Sequence, residues 1–293
     1  IARRVGLLAS MGDTSSVDQL LDATPGRSQI DQLVRYEADA RFLANDNARA
    51  CSLAASQIGN ESSAYWQKAF IFCQALAGEH DKAALGVSLL QDGGDEDEAF
   101  YSLVENLAGN PTKIESLPDP TPMHLSIARV TKTQLPSDVV ASSHPGVLRT
   151  IAISPNASVE IRLEAAERAE ISGALDVDTL RQLYTSVSFS EQDLANPLSK
   201  AEAESGPLSR ALLYRTSLIQ TIPIAQAEAV AKALSLGRQG GRYTSVVRVF
   251  MPVLKRIPPS AELAWFAPEV IRAFLAGGEV ASVAPWFSLL IAS

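Results

Sequence analysis

Along most of this chain apolar residues recur at the three- and four-residue spacing of a helix buried on one face. Between Tyr65 and Leu76 they stand at Tyr65, Trp66, Ala69, Phe70, Phe72, Cys73 and Leu76, close to the i, i+3, i+4, i+7 pattern. The next stretch, "AALGVSLL" (83–90), continues with Ala84, Val87 and Leu90. Val and Ile do not gather into alternating runs, so strands are not expected. Polar corners separate the helical stretches. Gly12-Asp13, Asn45-Asp46, Gly78-Glu79 and Gly109-Asn110 fall 33, 33 and 31 residues apart. Gly and Asn tolerate the left-handed conformation that ends a helix, and an Asp or Asn just beyond caps the next one. Five positions after each corner, Val17, Ala50, Ala83 and Ile114 begin a new buried stripe. Breakers at Thr24-Pro25-Gly26, Gly59-Asn60 and Asp92-Gly93-Gly94 close the units. The pattern predicts helical hairpins that cannot bury their own apolar faces and must stack.

Within this pattern "AGEHDKA", residues 77–83, resembles the G-D-Y-D-E-A centre of a tetratricopeptide repeat, with His80 where that family prefers Tyr. The resemblance spans roughly residues 1–115, and the family period is about 34 residues. It implies an all-α fold, an α-solenoid of stacked antiparallel helix hairpins whose first helices line a concave face. Carried onto this chain, the groove-facing positions are Tyr65, Lys68, Phe72, Ala75 and Leu76, and one period earlier Gln32, Arg35, Asp39, Phe42 and Leu43. The function implied is that of a non-catalytic scaffold or adaptor, presenting that surface to a protein or peptide partner. An alternative is the helical accessory domain of a cell-envelope enzyme whose catalytic domain lies outside this chain. A third reading, a spacer without a groove ligand, is favoured if the concave face is filled by side chains or by the 188–206 segment. The chain begins at Ile1 rather than Met, so it reads as a piece of a longer product.

The stretch "NPTKIESLPDPTP" (110–122) carries four prolines, which cannot sit inside a helix. It is either a boundary, dividing repeats over 1–117 from a less regular helical half over 123–293, or a long loop in a continuous array. Beyond it, 158–187 reads as helix, Gly173 corner, helix, with Asp176 or Asp178 as cap. Residues 207–237 have the same form, and further corners are expected at Gly240-Gly241 and Gly277-Gly278. "VLRTIAI" (147–153) suits a short helix, and 188–206 an exposed connection with a short helix in it. The uncharged end "VASVAPWFSLLIAS" (280–293) is too short for a membrane span and is expected to be a buried terminal helix.

Composition narrows the function classes. Apolar residues make up 46% and charged residues 20%, a globular profile. A net charge of −8 and 6% aromatics oppose nucleic-acid binding, which needs a basic face and stacking rings. No G-x-S-x-G, G-x-x-x-x-G-K-[ST] or G-x-G-x-x-G is present, and "GRQGG" (237–241) reads as a helix–helix turn. No C-x-x-C or Cys/His cluster exists, so no zinc is expected, and no cofactor is implied. His80 reads as an exposed turn residue, and His124 and His144 have no paired ligand at helical spacing. Asp92, Asp95 and Asp97 lack calcium-loop spacing and fit acidic caps before a helix over Glu98–Leu107. Glu160, Glu164 and Glu167 read as a solvated helix face. Cys51 opens the second helix of one hairpin and Cys73 ends the first helix of the next, about one turn out of register. Either a disulfide or two small buried thiols suits that placement. A bond would imply an oxidising compartment such as a bacterial periplasm; free thiols would leave the cytoplasm open. The predominance of Arg and Ala fits a GC-rich bacterial genome.

Overall fold

The computed structural model describes residues 1–59 and 63–292. Asn60 of the expected Gly59-Asn60 turn, and Ser293, lie outside the described residues. Among the described residues the elements are α-helices and short 3-10 turns, with no strand. The chain divides into two compact units, Ile1–Ala174 and Leu175–Ser293.

The first unit holds α1 (Ala2–Ser10), α2 (Thr14–Asp22), α3 (Asp31–Leu43), α4 (Asn47–Gln57), α5 (Ala64–Leu76), α6 (His80–Asp92), α7 (Glu98–Leu107), α8 (Pro122–Thr131), α9 (Pro145–Ala152) and α10 (Val159–Ile171). The first six pair in chain order, α1 with α2, α3 with α4 and α5 with α6, and each pair packs on the next. The corners are built as the sequence requires. Gly12, Asn45, Gly78 and Gly109 have φ of +70°, +61°, +80° and +89°. The next residue's N–H in each case reaches back to a carbonyl of the ending helix: Asp13 to Leu8, Asp46 to Arg41, Glu79 to Gln74 and Asn110 to Glu105, a Schellman closure. Asp13 and Asp46 then cap α2 and α4 by accepting from Ser16 and Arg49 N–H. Val17, Ala50 and Ala83 begin the buried stripes as expected.

The Cys51–Cys73 disulfide joins α4 to α5, with Cα atoms 5.5 Å apart. The one-turn register offset does not keep the two Cα atoms beyond bonding reach. Such a bond is more consistent with an oxidising, non-cytoplasmic compartment than with the cytoplasm. Beside it the rings of Phe42 and Phe72 pack with centroids 5.7 Å apart.

The fourth corner starts no helix. Prolines hold residues 110–121 irregular, although Ile114 and Leu117 are still buried. The segment is pinned by Asn106, whose side chain donates to Thr112 O and Thr133 Oγ1, and by Asp138, which accepts from Leu117 N–H. The proline-rich stretch therefore lies within the first unit, because α8 after it packs back onto α3 and α7. Residues Met123 to Ala128 of α8 are buried in succession, so this helix is enclosed on every side. Ser126 Oγ donates to Asn47 Oδ1 at 2.6 Å, tying α8 to the start of α4. α9 packs on α1, α3, α8 and α10. In α10, Glu167 is 2% exposed, where a solvated face was expected. The small Ala165, Ala166 and Ala169, all buried, let neighbours approach α10 closely, α9 above all.

The second unit contains α11 (Val177–Ser186), α12 (Glu191–Ala195), α13 (Pro197–Ala203), α14 (Pro207–Ile219), α15 (Pro223–Gln239), α16 (Tyr243–Leu254), α17 (Ala267–Ala276) and α18 (Val283–Ala292). Asp176 caps α11 by accepting from Thr179 N–H. Tyr214 of α14 sits between Tyr184 and Phe250, with centroids 5.9 and 5.2 Å away. The Gly241 and Gly278 corners have φ of +68° and +77°. The terminal helix is not buried as expected. Trp286 is 2% exposed, but Val280, Phe287 and Ile291 are 65%, 51% and 72% exposed. Among the described residues this helix packs on α17 and the turns at 261–266 and 280–282.

Candidate binding site

The face formed by α1, α3, α5 and α7 is covered by α8, α9 and the loop at 119–122, which leave a cavity of about 430 Å³ between them. Five of the sequence-derived groove residues reach it: Arg35, Asp39 and Leu43 from α3, and Tyr65 and Lys68 from α5. Gln32 is exposed and donates to the Tyr36 hydroxyl, and Leu76 is exposed; neither lines the cavity. Phe42, Phe72 and Ala75 are 1%, 0% and 3% exposed, leaving no surface for a ligand. Phe72 lies on the same stripe as Tyr65 and Lys68, one to two turns farther along. There the ring of Phe42 covers it, and the stripe passes from cavity wall into core.

Two polar clusters line the cavity. In the first, the Tyr65 hydroxyl donates to Asp39 Oδ1 at 2.8 Å, and the Arg35 guanidinium lies 4.4 Å from the Tyr65 ring centroid, within cation–π range. Asp39 Oδ2 has no hydrogen bond to any described residue. Burial pushes the Asp39 carboxyl up to about 6, against the pull of the Tyr65 hydrogen bond and the charges of Arg35 and His144. Burial, with Asp39 alongside, pushes the Tyr65 hydroxyl well above its ordinary value. Tyr65 thus remains a donor, and at neutral pH Asp39 is an ionised carboxylate held where ionisation is disfavoured.

The second cluster centres on Asp97. Its Oδ1 caps α7 by accepting from Phe100 N–H at 3.1 Å, and its Oδ2 accepts from Lys68 Nζ at 2.9 Å. Thr121 N–H donates to His124 Nδ1 at 3.2 Å, which fixes the proton on Nε2. That nitrogen donates to Asp97 Oδ2 at 3.1 Å. Burial alone would raise the Asp97 carboxyl, but His124, Lys68 and the Phe100 N–H together hold it well below the usual carboxylate range. Lys68 Nζ also pairs with Asp95 at 2.9 Å. Both imidazole nitrogens and all three charged groups are committed to one another, so this cluster clamps α8 to α5 and α7.

Among the described residues no group of three or more His, Cys, Asp or Glu side chains is placed to hold a metal ion, and no helix is long and apolar enough to cross a membrane. The sequence pointed to one wall of the cavity and missed the other. Asp97 was legible as a cap, but its pairing with His124 joins residues separated by an irregular loop. Pro122 at the first helical position and the Thr121–His124 reciprocal cap were the signals that α8 starts there. Comparison with protein-family models, curated proteins and solved structures gives no match, so the likeness to tetratricopeptide repeats rests on the corners and their spacing.

Proposed function

We propose that the chain is a non-catalytic binding scaffold and that its first unit receives a cationic side chain or terminus from a protein or peptide partner in the cavity beside Asp39. In this reading the stacked hairpins form a tetratricopeptide-like solenoid whose concave face is occupied by α8. An extended peptide then has no room along that face, and a single protruding group does. The observation that carries the reading is the Asp39 carboxylate. It faces the cavity with one oxygen unpartnered, and it sits in a wall whose three aspartates (Asp39, Asp97 and Asp119) outnumber Arg35 and Lys68. A half-buried carboxylate whose ionisation the folded state disfavours is retained against stability, which fits a group kept for binding.

The test is a photo-crosslinking amino acid at Tyr36 on the cavity wall, with one at the exposed Leu85 of α6 as control, in the native cell envelope. The expected result is a protein adduct from position 36 that Asp39→Asn abolishes. Equal adducts from both positions, or one indifferent to Asp39→Asn, would refute the reading. The disulfide keeps a second reading in view: a helical accessory part of a periplasmic or other cell-envelope enzyme. A catalytic domain in the same gene product, whose activity requires the cavity, would favour it.

A further inference from the structure

A second cavity in the first unit, of about 310 Å³, lies among the α1–α2 corner, the end of α3 and the last turns of α8 and α9. We propose that it binds a small oxyanion, held between the guanidinium groups of Arg129 and Arg149. The inference is independent of the Asp39 cavity.

The lining carries two arginines and no carboxylate: besides Arg129 and Arg149 it comprises Gly12, Thr14, Leu43, Ala44, Thr150 and Ile153. Arg129 is half-buried, yet its guanidinium makes no hydrogen bond or ion pair with any described residue. Burial lowers its pKa from the ordinary value with no opposing carboxylate. Two other partly buried cations of the same unit are paired with carboxylates. Arg41 lies within 4 Å of Asp18, Glu37 and Asp46, and Lys68 contacts both Asp95 and Asp97. An unpaired, partly desolvated guanidinium in a protein of net charge −8 therefore stands out. Arg149 is held in place by donating from Nη1 to Gly12 O at 2.8 Å. The carboxylate in its field, Asp13, is committed to Ser16 N–H at 3.0 Å. α2 begins at Thr14, so the positive end of its dipole adds to the same field. Planar guanidinium forks suit the paired oxygens of a phosphate or a carboxylate.

The competing explanation is that both arginines only offset the carbonyl ends of α8 and α9, whose last turns they occupy. Calorimetric titration of the intact disulfide-bonded protein decides between them. The probes are inorganic phosphate and N-acetylglycine, a chain-terminal carboxylate, with chloride at matched ionic strength as blank. Saturable binding of at least one probe is expected, weakened about tenfold or more by Arg129→Gln, as for loss of a charge-assisted contact. Phosphate alone would mark a phosphoryl ligand, and N-acetylglycine alone a peptide C-terminus. If Arg129→Gln does not fold, Arg129→Lys, which keeps the charge and loses the fork, is expected to weaken binding. Absence of saturable binding by either probe, or affinity unchanged in the folded variants, would overturn the proposal.

Discussion

Removing the Asp97 carboxylate tests whether α8 is clamped into the first unit. Asp97→Ala deletes the α7 N-cap, worth about 0.5–2 kcal/mol. It also leaves the His124 Nε2–H, on a residue 4% exposed, without its acceptor, which costs about 1–3 kcal/mol. Lys68 keeps Asp95 at 2.9 Å, so little is added there. The two ranges sum to about 1.5–5 kcal/mol, and with non-additivity between neighbouring groups the expected loss is about 2–4 kcal/mol. Asp97→Asn keeps the cap acceptor but turns an amide NH2, a donor, toward His124 Nε2–H and Lys68 Nζ, so it should still lose about 1–3 kcal/mol for the unpaired His124 N–H. Because the folded-state pKa of Asp97 is held below its ordinary value, its contribution is full above about pH 4 and lost as pH falls through the folded-state pKa. The assay is urea denaturation followed by tryptophan fluorescence. Of the three tryptophans, Trp66 lies in the first unit and Trp265 and Trp286 in the second. A Trp265→Phe, Trp286→Phe background therefore reports the first unit alone. A loss below about 0.5 kcal/mol, the range of ordinary surface changes, would refute the clamp.

Other outcomes follow from the same structure. Folding favours the protonated form of Asp39, so its contribution is full below about pH 4 and lost as pH rises through its folded-state pKa of about 6. Asp39→Asn should raise the stability of the first unit by about 1–3 kcal/mol at neutral pH, checked by denaturation at acid and neutral pH. Reducing the Cys51–Cys73 bond, which spans 22 residues of sequence, should cost the first unit about 3 kcal/mol, read as a lower urea midpoint with reductant. Gly146→Ala places a Cβ 2.5 Å from Gly12 N and 2.9 Å from Gly12 Cα. Neither backbone atom can swing aside, so a loss of about 1–3 kcal/mol is expected, with faster amide exchange in the α1–α2 corner.

What the sequence revealed depended on how local the governing interaction is. The corners were legible because a positive-φ Gly or Asn and the capping Asp beside it act within six residues. Gly12, Asn45, Gly78 and Gly109 all close their helices in this way. The α7 start at Glu98 with its Asp97 cap was legible for the same reason. Arg35, Asp39, Tyr65 and Lys68 were placed on one face by the tetratricopeptide resemblance, and they line one cavity. The resemblance gives the angle around a helix but not what covers it farther along, and Phe42 and Phe72 of the same set lie buried in the core. The enclosure of α8 was not legible. It follows from how α3, α7 and α9 converge on a helix that arrives after a proline-rich stretch. The two unpaired or strained charges, Arg129 and Asp39, likewise became visible only once their missing partners were apparent.

Hydrogen–deuterium exchange of the native, oxidised protein tests most directly whether α8 is built into the first unit. Amides of 125–131, in the buried stretch of α8 and its last turn, should exchange as slowly as those of 68–75 in the middle of α5, where Ala69, Ile71, Phe72 and Ala75 are buried. Exchange of 125–131 as rapid as that of the irregular segment 110–121 would mean that the face of α1, α3, α5 and α7 is open, and would contradict the account.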